Sequence, residues 1–237
     1  LDYKVMHTGQ HYSYNMDKLF FQDLELPDAD FNLEVGSCPQ GEQTAKILSG
    51  VEKVLLDEKY GEGDVVLVEG DTNSVLAGAL ASAKLAIKVG HVEAGLRSHF
   101  MGMPEEVNRI MTDHISEYLF APTKNSEENL KKEGLDKSKI FVVGNSIVDS
   151  VYQNKEISER KSQVLVELGL ESQKYFLVTA HRTENVDNAK RLGNLLRSLN
   201  KLSEKYDMDV ILPIHPRAKK RIDEFGLDVG KIRIIEP

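Results

Sequence analysis

The sequence predicts an α/β protein with parallel sheets, and three observations carry that expectation. Apolar runs alternate with amphipathic stretches along nearly the whole chain, in the order strand, helix, strand, helix. Successive runs lie far enough apart to leave room for a crossover helix, which parallel pairing requires. Runs such as Val65 to Val68 are continuous and β-branched rather than alternating, as in strands covered on both faces.

Taken in order, Lys4 to His7 reads as a short strand followed by the loop Thr8-Gly9-Gln10-His11. Asn15 to Leu24 reads as a helix with Met16, Leu19, Phe20 and Leu24 on one face. Phe31 to Val35 is a strand, and Ser37 to Gly41 a turn-rich link. Glu42 to Tyr60 is a long amphipathic helix with Ile47, Val51, Val54 and Leu55 inward. The strand at Val65 to Val68 ends in Glu69-Gly70-Asp71, and Thr72 or Asn73 caps the helix that follows. The next strand is Ile87 to Val92, in which His91 lies two residues from Glu93, so the two are expected on one side. Pro104 suits the first turn of a helix, and Glu105 and Glu106 suit its positive end. Strands at Tyr118 to Ala121 and Ile140 to Val143 flank a helix from Ser126 to Glu133, with Gly134 just past its end.

From Asn145 to Lys174 the chain turns polar and helical, with the solvated charge run KEISERK. This divides an N-terminal domain (1–150) from a helical connection (151–174) and a second domain (175–237). In the second domain, strands at Tyr175 to Ala180, Asp209 to Ile214 and Ile232 to Ile235 alternate with helices at Ala189 to Tyr206 and Arg217 to Phe225.

Composition narrows the function. A formal charge of −8 argues against nucleic acid and anionic membrane as partners. No apolar run is long enough to span a bilayer. The single cysteine, Cys38, excludes an internal disulfide and fits a reducing cytoplasm. Cysteine and histidine spacings give no metal pattern, and neither a Gly-x-Gly-x-x-Gly nor a Walker loop is present.

Open α/β sheets bind ligands at the carboxyl ends of their strands. Asp71 and Glu93 stand at two such ends and Glu105 at a helix start, so three carboxylates are expected in one site. Two of them have plainer readings, Asp71 as a turn residue and Glu105, with Glu106 above all, as a helix cap; Glu93, two residues from His91 at the end of a buried strand, is harder to dismiss, because an unpaired buried carboxylate is costly. Glu105 and Arg109 are also spaced to pair. A second polar cluster, His181-Arg182-Thr183-Glu184, follows the strand at Tyr175, and His215 follows the strand at Asp209. A histidine there can contact a phosphate or carry a proton, and Arg182 can fork onto a phosphate. The plainer readings are a surface pair of Arg182 with Glu184, and a turn role for His215 between Pro213 and Pro216.

The segments TGQH (8–11), GDTNS (70–74), GHVEAGLRS (90–98), PEEVNR (104–109), GNSIVDS (144–150) and TAHRTEN (179–185) occur in this order. Together they resemble the non-hydrolysing UDP-N-acetylglucosamine 2-epimerases, over essentially the whole chain. The resemblance implies two Rossmann-like domains of GT-B type with the substrate between them, the second domain being incomplete here. It implies interconversion of UDP-N-acetylglucosamine and UDP-N-acetylmannosamine by elimination and re-addition of UDP through 2-acetamidoglucal, with no cofactor and no metal. It implies a cytoplasmic homodimer. By motif, Asp71, Glu93, Glu105 and His181 match the catalytic residues, and Gln10, His11, Arg97, Arg182, Glu184 and His215 are the candidate substrate-binding residues. Tyr12 and Ser13 stand where the bacterial activator loop would have a polar pair, which argues against allosteric activation.

The family's opening Gly-Thr-Arg-Pro-Glu loop and its later Ser-Gly-Gly loop are absent. LDYKVMHTG enters directly in a strand and KIRIIEP stops as one finishes. The chain is therefore expected to be a segment of a longer protein and inactive, or nearly so, by itself. The rival readings are an epimerase of UDP-2,3-diacetamido-2,3-dideoxyglucuronate, a GT-B glycosyltransferase and a nucleotide-sugar binding module.

Overall fold

The computed structural model of the chain describes residues 2–9 and 18–236. The chain forms two compact units, Leu1–Ser158 and Glu159–Pro237, and the helix Ser146–Lys161 (α6) runs across the division. Every described strand pairing is parallel, so the α/β class with parallel sheets holds.

The first unit begins with a pair of two-residue strands, β1 (Met6–His7) and β2 (Phe31–Asn32), with α1 (Lys18–Asp23) between them. Helix α2 (Gln40–Asp57) follows and buries Ile47, Val51 and Leu55 at the four-residue spacing of one helix face. Four strands then make a sheet in sequence order: β3 (Val65–Glu69), β4 (Lys88–Val92), β5 (Tyr118–Ala121) and β6 (Ile140–Val142). The helices between them are α3 (Asn73–Lys84), α4 (Pro104–Ile115) and α5 (Lys124–Lys132). Thr72 is the N-cap of α3, and Pro104 opens α4. Thr123 caps α5, accepting from the Ser126 amide at 3.1 Å.

The sheet is not covered on both faces, as the continuous apolar runs had suggested. Val66 packs among Ile47, Val51, Leu55 and Ala77, but Val65 is 46% and Leu67 64% exposed. The reason is topological. Right-handed crossovers that progress in one direction lay their helices on one side of the sheet. The opposite face, with Val65, Leu67 and Phe141, has no helix over it among the described residues. A crevice of about 300 Å³ also separates β1 from β3, lined by Met6, His7, Leu67, Val68, Val51 and Leu55 among others.

The second unit holds α7 (Val164–Glu167), β7 (Tyr175–Leu177), α8 (Thr183–Val186), α9 (Ala189–Tyr206), β8 (Asp209–Pro213), α10 (Pro216–Glu224) and β9 (Arg233–Ile235). Its sheet runs β7-β8-β9. Leu192, Leu196 and Leu199 of α9 pack on Val210 and Leu212 of β8 and on Ile232. No helix of the described residues is long and apolar enough to cross a membrane.

Candidate active site

The parallel register sets the site. Glu69 pairs with Val92, so the turns after β3 and β4 leave the sheet side by side. Gly70, at φ +89°, turns the chain sharply, and its amide donates to the Val92 carbonyl at 3.2 Å. Asp71 follows, half-buried. Glu93 lies one residue beyond β4 with φ +71°, so the turn rather than strand alternation sets its direction. Left-handed backbone at a residue other than glycine, asparagine or aspartate is strained and clusters at functional sites. Even so, His91 and Glu93 both come alongside Gly70. His91 Nε2 is 2.9 Å from the Gly70 carbonyl. Glu93 Oε2 lies within 3.8 Å of where a Gly70 Cβ would stand.

Burial pushes the Glu93 carboxyl up, and the charges of Glu69 and Asp71 add to this, while His91 and Arg109 oppose it. Glu69, at the end of β3, accepts from the Ser146 hydroxyl at 2.5 Å.

Helix α4 supplies the counter-charges, and here the sequence reading is corrected. Arg109 does not pair with Glu105. It bonds to Asp71 at 2.5 Å and to Glu106 at 2.8 Å. Glu106 is more than a cap, since it is 1% exposed and accepts the amides of Ser98 and His99 at 2.9 and 2.8 Å. Burial raises its carboxyl, but the Ser98 amide, Arg109 and the His99 amide more than reverse this and hold it at about 2. Glu105 is exposed at the helix start. Asn108 completes the link, its Nδ2 donating to the Asp71 carbonyl at 2.9 Å.

Beneath this lies a buried network that the sequence reading did not single out. Asp113 sits between His91 Nδ1 at 2.6 Å and Arg97 at 2.7 Å, and it accepts the Gly95 amide at 3.1 Å. Arg97 was expected to contact substrate. Its side chain is 1% exposed and forks onto Glu133 at 2.7 and 2.6 Å, so it stands behind the carboxylates rather than in the opening. Of its members only Asp113 carries a signal in the sequence, recurring with Glu106 and Arg109 at helical spacing on one face of α4.

In the second unit, His181, Arg182 and Glu184 are exposed after β7. His215 is the N-cap of α10, and its Nδ1 accepts the Arg217 amide at 3.2 Å. Asp187 binds both Arg217 and Arg221. Gln10 and His11 lie outside the described residues. Among the described residues no group of three or more histidine, cysteine or acidic side chains is placed to hold a metal.

Comparison with known proteins gives a consistent result. A family model described as UDP-N-acetylglucosamine 2-epimerase matches residues 1–237. A protein of Methanococcus maripaludis named UDP-N-acetylglucosamine 2-epimerase is 53% identical over 241 residues, covering 98% of this chain and 65% of that protein. A Pseudomonas aeruginosa protein named UDP-2,3-diacetamido-2,3-dideoxy-D-glucuronate 2-epimerase is 42% identical, covering 98% of this chain and 64% of that protein. The crystal structure of the Methanocaldococcus jannaschii UDP-GlcNAc 2-epimerase in complex with UDP-GlcNAc and UDP superposes with a TM-score of 0.87 at 53% identity, covering all of this chain and 66% of that one. The chain thus spans about two thirds of the length of these relatives.

Proposed function

The chain belongs to the UDP-N-acetylglucosamine 2-epimerase family, and from that premise we propose that the full-length protein interconverts UDP-N-acetylglucosamine and UDP-N-acetylmannosamine. One observation in the structure supports the chemistry most directly. Asp71 and Glu93, from adjacent strand ends, share a site in which burial and neighbouring charge favour the protonated form of Glu93.

The C2 hydrogen of the sugar is not acidic in the ground state. It becomes removable as the C1–O bond to UDP breaks and positive charge grows at C1, which carboxylates stabilise as in glycosidases. Loss of UDP and of the C2 proton leaves 2-acetamidoglucal. Returning UDP to C1 while protonating C2 on the opposite face gives the epimer, and protons and electrons balance with no redox partner. Inversion needs one group on each face. Glu93, pushed up by its surroundings, suits a group that must both hold and release a proton. Asp71, held by Arg109, suits charge stabilisation. Glu105, exposed at the start of α4, is the second proton carrier in this reading.

His181, Arg182, Glu184 and His215 are assigned to UDP, with the helix start at His215 suited to an anion. Gln10 and His11 are assigned to substrate contact, and Arg97 to holding the turn after Glu93. The assembly proposed is a homodimer in the cytoplasm.

The test is proton NMR of the full-length protein with UDP-N-acetylglucosamine in D₂O. Loss of the C2 proton signal together with a growing UDP-N-acetylmannosamine signal is expected. No exchange and no new sugar overturns the assignment, and the diacetamidoglucuronate sugar is then the substrate to try, as the Pseudomonas relative is named for it.

A further inference from the structure

His91 is fully buried beneath the turn that carries Asp71, and its hydrogen bonds have an unusual feature. Nε2 faces the Gly70 carbonyl at 2.9 Å, and that oxygen can only accept. Nδ1 faces Asp113 Oδ1 at 2.6 Å. Asp113 already accepts the Gly95 amide at 3.1 Å and an Arg97 nitrogen at 2.7 Å on its other oxygen, a donor set that belongs to a carboxylate. Both ring nitrogens therefore look onto acceptors, whereas a neutral imidazole can donate from only one.

The neighbouring charges bear on the second ring proton. Asp113 is fully buried, and the Arg97 that bonds to it also forks onto the part-exposed Glu133, so one guanidinium serves two carboxylates. A positive charge on His91 gives the buried Asp113 a partner of its own. Glu93, from the turn after β4, feels the His91 charge together with those of Glu69, Asp71 and Arg109, and Arg109 of α4 also binds Glu106. His114 lies 3.7 Å from Glu133.

We propose that His91 is a positioning residue that donates from both ring nitrogens, tying the Gly70–Asp71 turn to Asp113 and setting a buried positive charge beneath the acidic cluster. The Gly70 peptide is then held to β4 through both its groups, by its amide on Val92 and its carbonyl on His91. That grip fixes where Asp71 stands relative to Glu93. The catalytic part of this inference rests on the epimerase reading, but the protonation of His91 does not.

Two measurements on the full-length protein test it. Long-range ¹H–¹⁵N correlation of histidine-labelled protein should show both His91 nitrogens protonated, each facing its acceptor. A His91 with one bare nitrogen overturns the proposal, and this needs no variant to fold. In His91→Gln, kcat for UDP-N-acetylglucosamine should fall on the order of 100-fold, the cost of misplacing a reacting group by about 1 Å, with KM little changed. The acid limb of its pH profile should move to higher pH, because removing a nearby positive charge makes the carboxylates harder to ionise. A variant with parental kcat and an unmoved acid limb overturns the positioning role. If the unsubstituted protein shows no epimerisation, the epimerase reading falls, and the NMR result still decides His91.

Discussion

At the scale of single residues, Glu105 and Glu106 are the informative pair. They are adjacent, both acidic and both in the first turn of α4, yet one is exposed and the other buried in a fork of amides and guanidinium. Capping preference treats them alike, since the helix dipole favours either. Helix rotation separates them by about 100°, and only the position of the sheet decides which turns inward. The buried one makes a clear prediction. Its carboxyl is lowered from 4.5 to about 2, so its stabilisation is complete above the ordinary glutamate range and is lost as pH falls through about 2. Glu106→Gln should cost about 3 kcal/mol at pH 7, by the energy of a shift of that size. The gap between variant and parent in urea melts should close as the pH is taken from about 4 toward 2. An equal gap at both ends of that range would count against the assignment.

At the scale of elements, most strands and helices from Val65 to Val142 were readable from boundary signals: Thr72 caps, Pro104 opens, and Gly134 closes. The helix after β5 begins at Lys124, capped by Thr123, two residues before the Ser126 start that was expected; β7 stops at Leu177 rather than Ala180, and the short helix α8 was not foreseen. The strand at Phe31 is shorter than expected, because Glu34 takes left-handed backbone (φ +50°) and ends the regular ladder, although the Leu33 and Val35 amides still donate to the His7 and Thr8 carbonyls. Coverage of the second sheet face was not readable either. Four consecutive apolar residues show that a strand can be buried, while what buries it comes from other parts of the chain. The turn after β4 packs closely against α5. Gly95 has φ +78°, and a Cβ there would stand 2.3 Å from the Ser126 carbonyl oxygen and 2.8 Å from Leu130 Cγ. Its amide and carbonyl are held by Asp113 and Asn129. Gly95→Ala must separate this turn from α5, and should destabilise by about 2–4 kcal/mol from strain and overpacking combined. A parental melting temperature for this variant would show that the turn and α5 are not in contact in solution.

At the scale of the whole molecule, the chain holds its core in separate clusters. One joins α2, α3 and the start of β4, another β5 with α5, and the third belongs wholly to the second unit. Domains with their own cores need not unfold together. Calorimetry of the chain should resolve two transitions, one for each unit. A single transition with equal calorimetric and van't Hoff enthalpies would contradict this. The carboxylates were legible because they end apolar runs within one unit. The network of His91, Arg97, Asp113 and Glu133 was not, because its members come from three elements and look like ordinary surface charge when read along the chain.

The left-handed backbone at Glu93 has a consequence for anyone who engineers or evolves this protein. Glycine would relieve that turn, and a neutral side chain would also escape the crowding by Glu69 and Asp71. A screen that rewards thermal tolerance alone should therefore drift away from glutamate at 93, and under the proposed mechanism each step would look like an improvement while turnover was lost. In that reading durability and reactivity ask for different amino acids at position 93, so a library built on this scaffold needs an activity gate wherever that codon is free to vary.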